Sequence, residues 1–192
     1  MQKIEQHPLE PFLPGNTKLL MLGSFPPKRE RWKMDFYYPN FQNDMWRIFG
    51  LCFFDDKEHF LTNDKKSFNP DVIKDFLLEK GIGIGDTARS VIRHKDNASD
   101  NFLEVVESSD IVGILNEIPL CQALVTTGQK ATDTLLNIFD IKEPKIGNFS
   151  EFQFQNKTMR LYRMPSSSRA YPKSLVDKAE IYKTMFQQLH LL

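Results

Sequence analysis

The sequence predicts an α/β chain, a three-layer αβα sandwich with helices on both faces of a mostly parallel sheet. Three observations predict it. Short apolar runs at Lys18-Leu19-Leu20-Met21-Leu22 and Ala123-Leu124-Val125 are too short for helices, and they suit strands buried on both faces. Between them lie stretches whose apolar residues recur at helical spacing. Strands that alternate with helices in this way build parallel sheets through crossover connections.

In chain order, Pro8, Pro11, Pro14 and Gly15 make residues 1–17 read as an irregular arm. The first strand is closed by Gly23, and a helix follows near Asn43 to Leu51 with Met45, Ile48 and Phe49 inward. Asn69-Pro70-Asp71 is a helix start: a capping side chain, a proline at the first helical position and an acid suited to the helix dipole. That helix carries a stripe of Val72, Ile73, Phe76 and Leu77. Gly81-Ile82-Gly83-Ile84-Gly85 is small and extended, a buried strand or a close backbone approach. Ser109-Asp110 starts a helix with Ile111, Ile114, Leu115 and Ile118, stopped at Pro119. After the strand at Ala123, Thr127-Gly128-Gln129-Lys130-Ala131 turns into a helix holding Leu135 and Leu136. Phe152 to Phe154 and Met159 to Tyr162 form a hairpin or two successive strands around Asn156-Lys157. Leu175, Ala179, Tyr182, Met185, Phe186 and Leu189 mark the last and clearest helix.

Composition narrows the function classes. With 41% hydrophobic and 26% charged residues over 192 positions, the chain is neither disordered nor collagen-like, and one domain spanning 1–192 is expected. No apolar run reaches membrane-spanning length and no signal-peptide core opens the chain, so a cytoplasmic protein without a membrane partner is expected. Two cysteines, Cys52 and Cys121, are too few for a four-cysteine zinc site or iron–sulfur cluster. His7, His59, His94 and His190 are scattered, so neither a metal nor a cofactor is expected. Twenty-five basic residues balance 25 acidic ones, so any site for a polyanion must be a local patch.

In such folds ligands gather beyond the carboxyl ends of the strands. The loops to read are therefore Ser24 to Gln42, Asp86 to Asp100, Thr126 to Lys130 and Met164 to Ser174. Gly23-Ser24-Phe25-Pro26-Pro27 reads as a stiff connection whose hydroxyl satisfies its own turn, or as a pocket wall. Lys28, Arg29, Arg31 and Lys33 are a solvated face or a phosphate grip. Tyr37-Tyr38-Pro39-Asn40-Phe41-Gln42-Asn43 offers the aromatic faces and carboxamides that reading a nucleobase requires. Asn43 is equally an excellent helix cap, and Trp46 equally plain core; spacing alone favours those structural roles. Pro165, Ser166, Ser167, Ser168 and Arg169 form a turn that admits a phosphate closely, though serine-rich turns before helices are ordinary. Asp86 is placed to orient a water, as many loop acids are. There is no G-x-S-x-G elbow, phosphate-binding loop or dinucleotide fingerprint.

Taken together and in order, these segments resemble the uracil-DNA glycosylase superfamily, from Leu19 to the last helix. Mismatch-specific members carry G-I-N-P-G and F-A-H-P-x-N-x-F-W, where this chain has Gly23-Ser24-Phe25-Pro26-Pro27 and Tyr38-Pro39-Asn40-Phe41-Gln42-Asn43-Asp44-Met45-Trp46. A second motif, H-P-S-P-S or a relative, resembles Met164-Pro165-Ser166-Ser167-Ser168. The hypoxanthine-DNA glycosylase-like branch is closer, with G-S-M-P-G and Y-Y-A-H-P-x-N-x-F-W. Its G-I-G-L-W-D resembles Gly81 to Asp86 and its N-G-Q-K-A resembles Thr127 to Ala131.

The resemblance implies a parallel four-stranded sheet, DNA containing a damaged base as partner, and hydrolysis of an N-glycosidic bond after base flipping. It implies Asn43 and Ser24 as catalytic residues, and Phe25, Tyr38 and Asp86 around the base. It also implies Pro165, Ser166, Ser167, Ser168 and Arg169 on the phosphates, with Arg169 or Tyr171 filling the vacated stack. Iron–sulfur members are excluded by the cysteine count, and a monomer is expected. Four departures bear on substrate: Ser24 replaces an Asn or Asp, Met164 a histidine, Gly85 a tryptophan, and Pro39-Asn40-Phe41 the A-H-P. Robust uracil excision is therefore not expected. A catalytically weak DNA-binding module and a small-nucleoside hydrolase are the rival readings.

Overall fold

The structure, a computed structural model, describes residues 3–94 and 102–192. Among these, strand β1 spans Ile4–Gln6, β2 Leu19–Gly23, β3 Ile82–Asp86, β4 Ala88–Arg93, β5 Leu103–Ser108, β6 Ala123–Thr126, β7 Asn148–Phe154 and β8 Lys157–Arg163. The α-helices are α1 (Met45–Phe54), α2 (Pro70–Lys80), α3 (Ile111–Glu117), α4 (Gln129–Ile138) and α5 (Leu175–Gln188).

The main sheet has the order β3-β2-β6-β8-β7. Its first four strands run parallel, and β7 returns antiparallel along β8 as an edge. The expected four-stranded parallel sheet is thus corrected to a mixed five-stranded one. The reason is local: Gln155 adopts φ 53, and a two-residue turn at Gln155-Asn156 closes a hairpin, which forces the added strand antiparallel. Strand β2 lies inside the sheet, between β3 and β6, and is wholly buried. Leu19 and Met21 point into one core with Trp46, Phe49, Phe76 and Phe186; Leu20 and Leu22 point into another with Ile111, Ile114 and Leu135. Helices α1, α2 and α5 therefore cover one face, and α3 and α4 the other.

The starts of α2 and α3 obey the capping signals. Asn69 Oδ1 accepts from the N–H groups of Asp71 and Val72, and Gly81 ends α2 at φ 68. Asp110 caps α3 through Gly113 N–H. The expected α2 stripe needs one correction: Ile73, Phe76 and Leu77 are buried, whereas Val72 is exposed.

A second, three-stranded antiparallel sheet, β1-β4-β5, was not legible in the sequence. It corrects two expectations. The 1–17 arm is not irregular throughout, because Ile4–Gln6 pairs with Ser90–Ile92. Most of the supposed loop after Asp86 is strand β4; its residues 95–100 lie outside the described residues. Strand β4 carries a bulge between Ala88 and Val91, which breaks the alternation that would have announced it.

Register brings the site together. Gly23 stands opposite Asp86, and Leu22, Thr126 and Arg163 share one row, so four parallel strands end level. The chain segments that leave those ends share one rim of the sheet.

Candidate functional site

A cleft of about 1030 Å³ opens at that rim. Ser24, Phe25, Tyr38, Asn43, Asp86 and the turn from Ser166 to Arg169 all line it, as does Tyr171. Pro165 does not; it is buried behind the turn, where its carbonyl accepts from the Tyr182 hydroxyl at 2.9 Å. Residues scattered over nearly 150 positions thus share one cavity.

The two motif loops are stitched by backbone. Asp44 N–H donates to Ser167 C=O at 2.9 Å, and Asn43 forms a bridge with Ser168. The expected cap needs a correction: Asp44, whose side chain makes no capping bond, holds the N-cap position of α1, and Asn43, one residue earlier, supports the helix start through its Oδ1, which accepts from Met45 N–H at 2.9 Å. The Asn43 NH2 group makes no hydrogen bond among the described residues, and the residue lines the cleft. Trp46 is completely buried core.

Ser24 is buried beside the end of β2, and its hydroxyl makes no hydrogen bond among the described residues. Neither does the Phe25 N–H; the Phe25 ring turns away to pack on Ala88, Val91 and Leu103. Tyr38 has φ 52, a left-handed backbone uncommon for an aromatic residue. Its ring stands edge-on to Trp46, and its hydroxyl pairs with that of Thr127 at 3.1 Å. A fixed ring at the cleft wall results.

The serine turn is organised from beneath. Ser166 Oγ accepts from Ser168 N–H, and Ser168 Oγ from Ala170 N–H. The Lys178 ammonium, on α5, donates to Ser168 C=O at 2.7 Å. Burial, and then the neighbouring Arg169, lower the Lys178 pKa, while Asp44 opposes the shift. Asp44 itself is buried and takes Arg169 Nε at 3.0 Å and an Arg47 nitrogen at 3.6 Å. Burial and Arg169 likewise lower the Arg47 pKa, again against Asp44. One acid among three cations leaves the base of the turn net positive.

Arg169 is not a loose probe, since Gln42 Oε1 also accepts from it at 2.8 Å. Of the four cations between Lys28 and Lys33, Arg31 alone lines the cleft; Arg29 pairs with Asp35 and lies over the Trp32 ring. Lys130, at the start of α4, adds a rim charge that sequence reading passed over. Lys173 is exposed and lies outside the lining.

Asp86 ends β3. Its Oδ1 lies against Gly23, where a Cβ would stand only 2.4 Å away, so glycine is what admits the carboxylate. Its Oδ2 meets His7 Nε2 at 2.8 Å, with the two side chains 8% and 4% exposed. Strand β1 delivers this histidine, and His7 N–H extends its pairing to Arg89 C=O. The His7 ring is packed edge-on by Phe25 and stacked near Tyr37. Burial first, and the Asp86 carboxylate second, push the Tyr37 hydroxyl far above its usual pKa, so it stays protonated. Sequence reading missed His7 because nothing near it in the chain marks a partner 79 residues away.

No cluster of His, Cys, Asp and Glu suited to a metal ion occurs among the described residues. None of their helices is long and apolar enough to cross a membrane. No protein-family model matches the chain, and no curated protein does. Among solved structures, its fold matches the solution NMR structure of a provisionally named uracil DNA glycosylase from Methanosarcina acetivorans. The TM-score is 0.64 at 22% identity, over 98% of this chain and 99% of that one. At that identity the likeness speaks for the fold.

Proposed function

We propose that this chain is a DNA glycosylase-like hydrolase that cleaves the N-glycosidic bond of a flipped-out, deaminated or otherwise damaged base, of hypoxanthine or uracil type, in cytoplasmic DNA repair. The observation that carries the reading is the convergence of the base-facing loops and the serine turn on one cleft at the carboxyl ends of the parallel strands. The fold match to a protein given a glycosylase name supports it.

On this reading the flipped base lies against the Tyr38 ring, with a base carbonyl on the Phe25 N–H. The Asn43 NH2 group donates to the base, favouring the charge that develops on it. Water, oriented by the Ser24 hydroxyl, forms a bond to C1′ as the bond from C1′ to the base breaks. The bonding electrons leave with the base, and the water's proton neutralises it. The backbone N–H groups of Ser166 and Ser167 and the hydroxyls of Ser166 to Ser168 hold phosphates, with charge from Arg31, Lys130 and Arg169. Fixed donors of this kind act because they need no reorganisation when charge develops.

The engaged Asn43 Oδ1 favours a second reading, a DNA-binding module with weak chemistry, since holding the Met45 N–H at the start of α1 is a sufficient role for that side chain. Purified protein and single-lesion oligonucleotides separate the two. Alkali-labile abasic sites at hypoxanthine or uracil are expected; tight binding without abasic sites on any lesion would leave the module.

A further inference from the structure

We infer that His7 is a positioning residue that makes Asp86 a reader of deaminated base edges; the inference rests on the glycosylase reading above. Nδ1 of His7 accepts from Leu9 N–H at 3.1 Å, and in that tautomer Nε2–H donates to Asp86 Oδ2 at 2.8 Å. Nearly complete burial of both side chains keeps water from competing for that bond. With Oδ2 taken, Oδ1 is the acceptor left, lying against Gly23, and both residues line the cleft.

That single acceptor has a definite preference. Adenine and cytosine present a ring nitrogen lone pair beside their amino group, which a carboxylate oxygen repels. Deamination replaces this edge by a ring N–H beside a carbonyl, in hypoxanthine and in uracil. The N–H donates to Asp86 Oδ1 while the carbonyl accepts from the Phe25 N–H. Buried polar groups that would be left unpaired reject the wrong edge strongly. Guanine and thymine share the accepted edge, so their exclusion falls to the cost of flipping a well-paired base.

The packing offers a clean experiment. His7→Phe keeps a ring against Phe25 and Tyr37 but has no donor. His7→Gln loses the ring but retains an N–H at similar reach. Excision is measured on duplexes carrying hypoxanthine or N1-methylhypoxanthine, which lacks the N–H, with affinity for abasic-site DNA as the check on folding. A shift of Asp86 by about 1 Å costs on the order of 100-fold. We expect that loss on hypoxanthine for His7→Phe, near-normal rates for His7→Gln and unchanged abasic-site affinity for both. N1-methylhypoxanthine should be poor for the unmodified chain and no worse for His7→Phe. Full activity of His7→Phe, equal damage from His7→Gln, or brisk excision of N1-methylhypoxanthine would overturn the inference and leave the proposed function standing. No excision of any base by the unmodified chain would overturn both.

Discussion

Gly23→Ala separates a site effect from a stability effect. The new Cβ would stand 2.4 Å from Asp86 Oδ1, against an ordinary contact of 3.4 Å or more. The carboxylate must therefore retreat by about 1 Å, a distance that near-attack geometry values at roughly 100-fold in rate. Retreat strains or breaks the bond to His7, and a buried hydrogen bond to a charged group is worth about 2 kcal/mol. Replacing glycine by alanine returns up to ~1 kcal/mol by stiffening the unfolded chain. The net loss is then about 1 kcal/mol, which lowers the melting temperature of a chain this long by about 2–4 °C. Thermal melts and single-turnover excision on one preparation test both numbers. A variant that melts a few degrees lower but excises normally would show that Asp86 does not face the base.

Asn43→Ala should lose about 1 kcal/mol of stability with the bond from Met45 N–H and ~100-fold in excision, whereas Asn43→Ser, whose hydroxyl can still accept that bond, should regain the stability alone; a fully active serine variant would reduce Asn43 to a support for the start of α1. Ser24→Asn, offering a longer reach and a second donor toward water, should raise uracil excision in the same lesion assay, and no gain would place Ser24 away from C1′. Arg169→Ala should weaken DNA binding and flatten its salt dependence by about one unit of slope, while Lys142→Ala should leave both unchanged; equal slopes in a titration over salt would remove the serine turn from the DNA site. Burial raises the thiol pKa of Cys52 to about 12 and of Cys121 to about 11. The folded state therefore holds protons that the unfolded state releases from about pH 9 upward, and stability should fall across that window by up to ~1.4 kcal/mol per pH unit for each thiol. Melts between pH 8 and 11 should show a shallower decline once both cysteines are replaced by alanine.

Sequence alone determined those elements whose signals lie within a few residues of one another. The Asn69-Pro70 start of α2, the Asp110 cap of α3 and the apolar spacing of α5 all work through contacts between near neighbours in the chain. The buried strands β2 and β6 were legible because a strand covered on both faces must be apolar throughout. Those elements are enough to specify helices on both faces of a largely parallel sheet, and hence which loops reach its carboxyl edge.

Tertiary structure decided the rest. The half-buried, bulged strand β4 and the three-residue β1 have no local signature, and they become strands only by pairing with each other and with β5. That pairing carries His7 to Asp86. In the same way α5 carries Lys178 to the serine turn, and Asp44 meets Arg169 across 125 positions. Hydrogen bonds and ion pairs act over about 3 Å whatever the separation along the chain, so only the folded path brings their partners together.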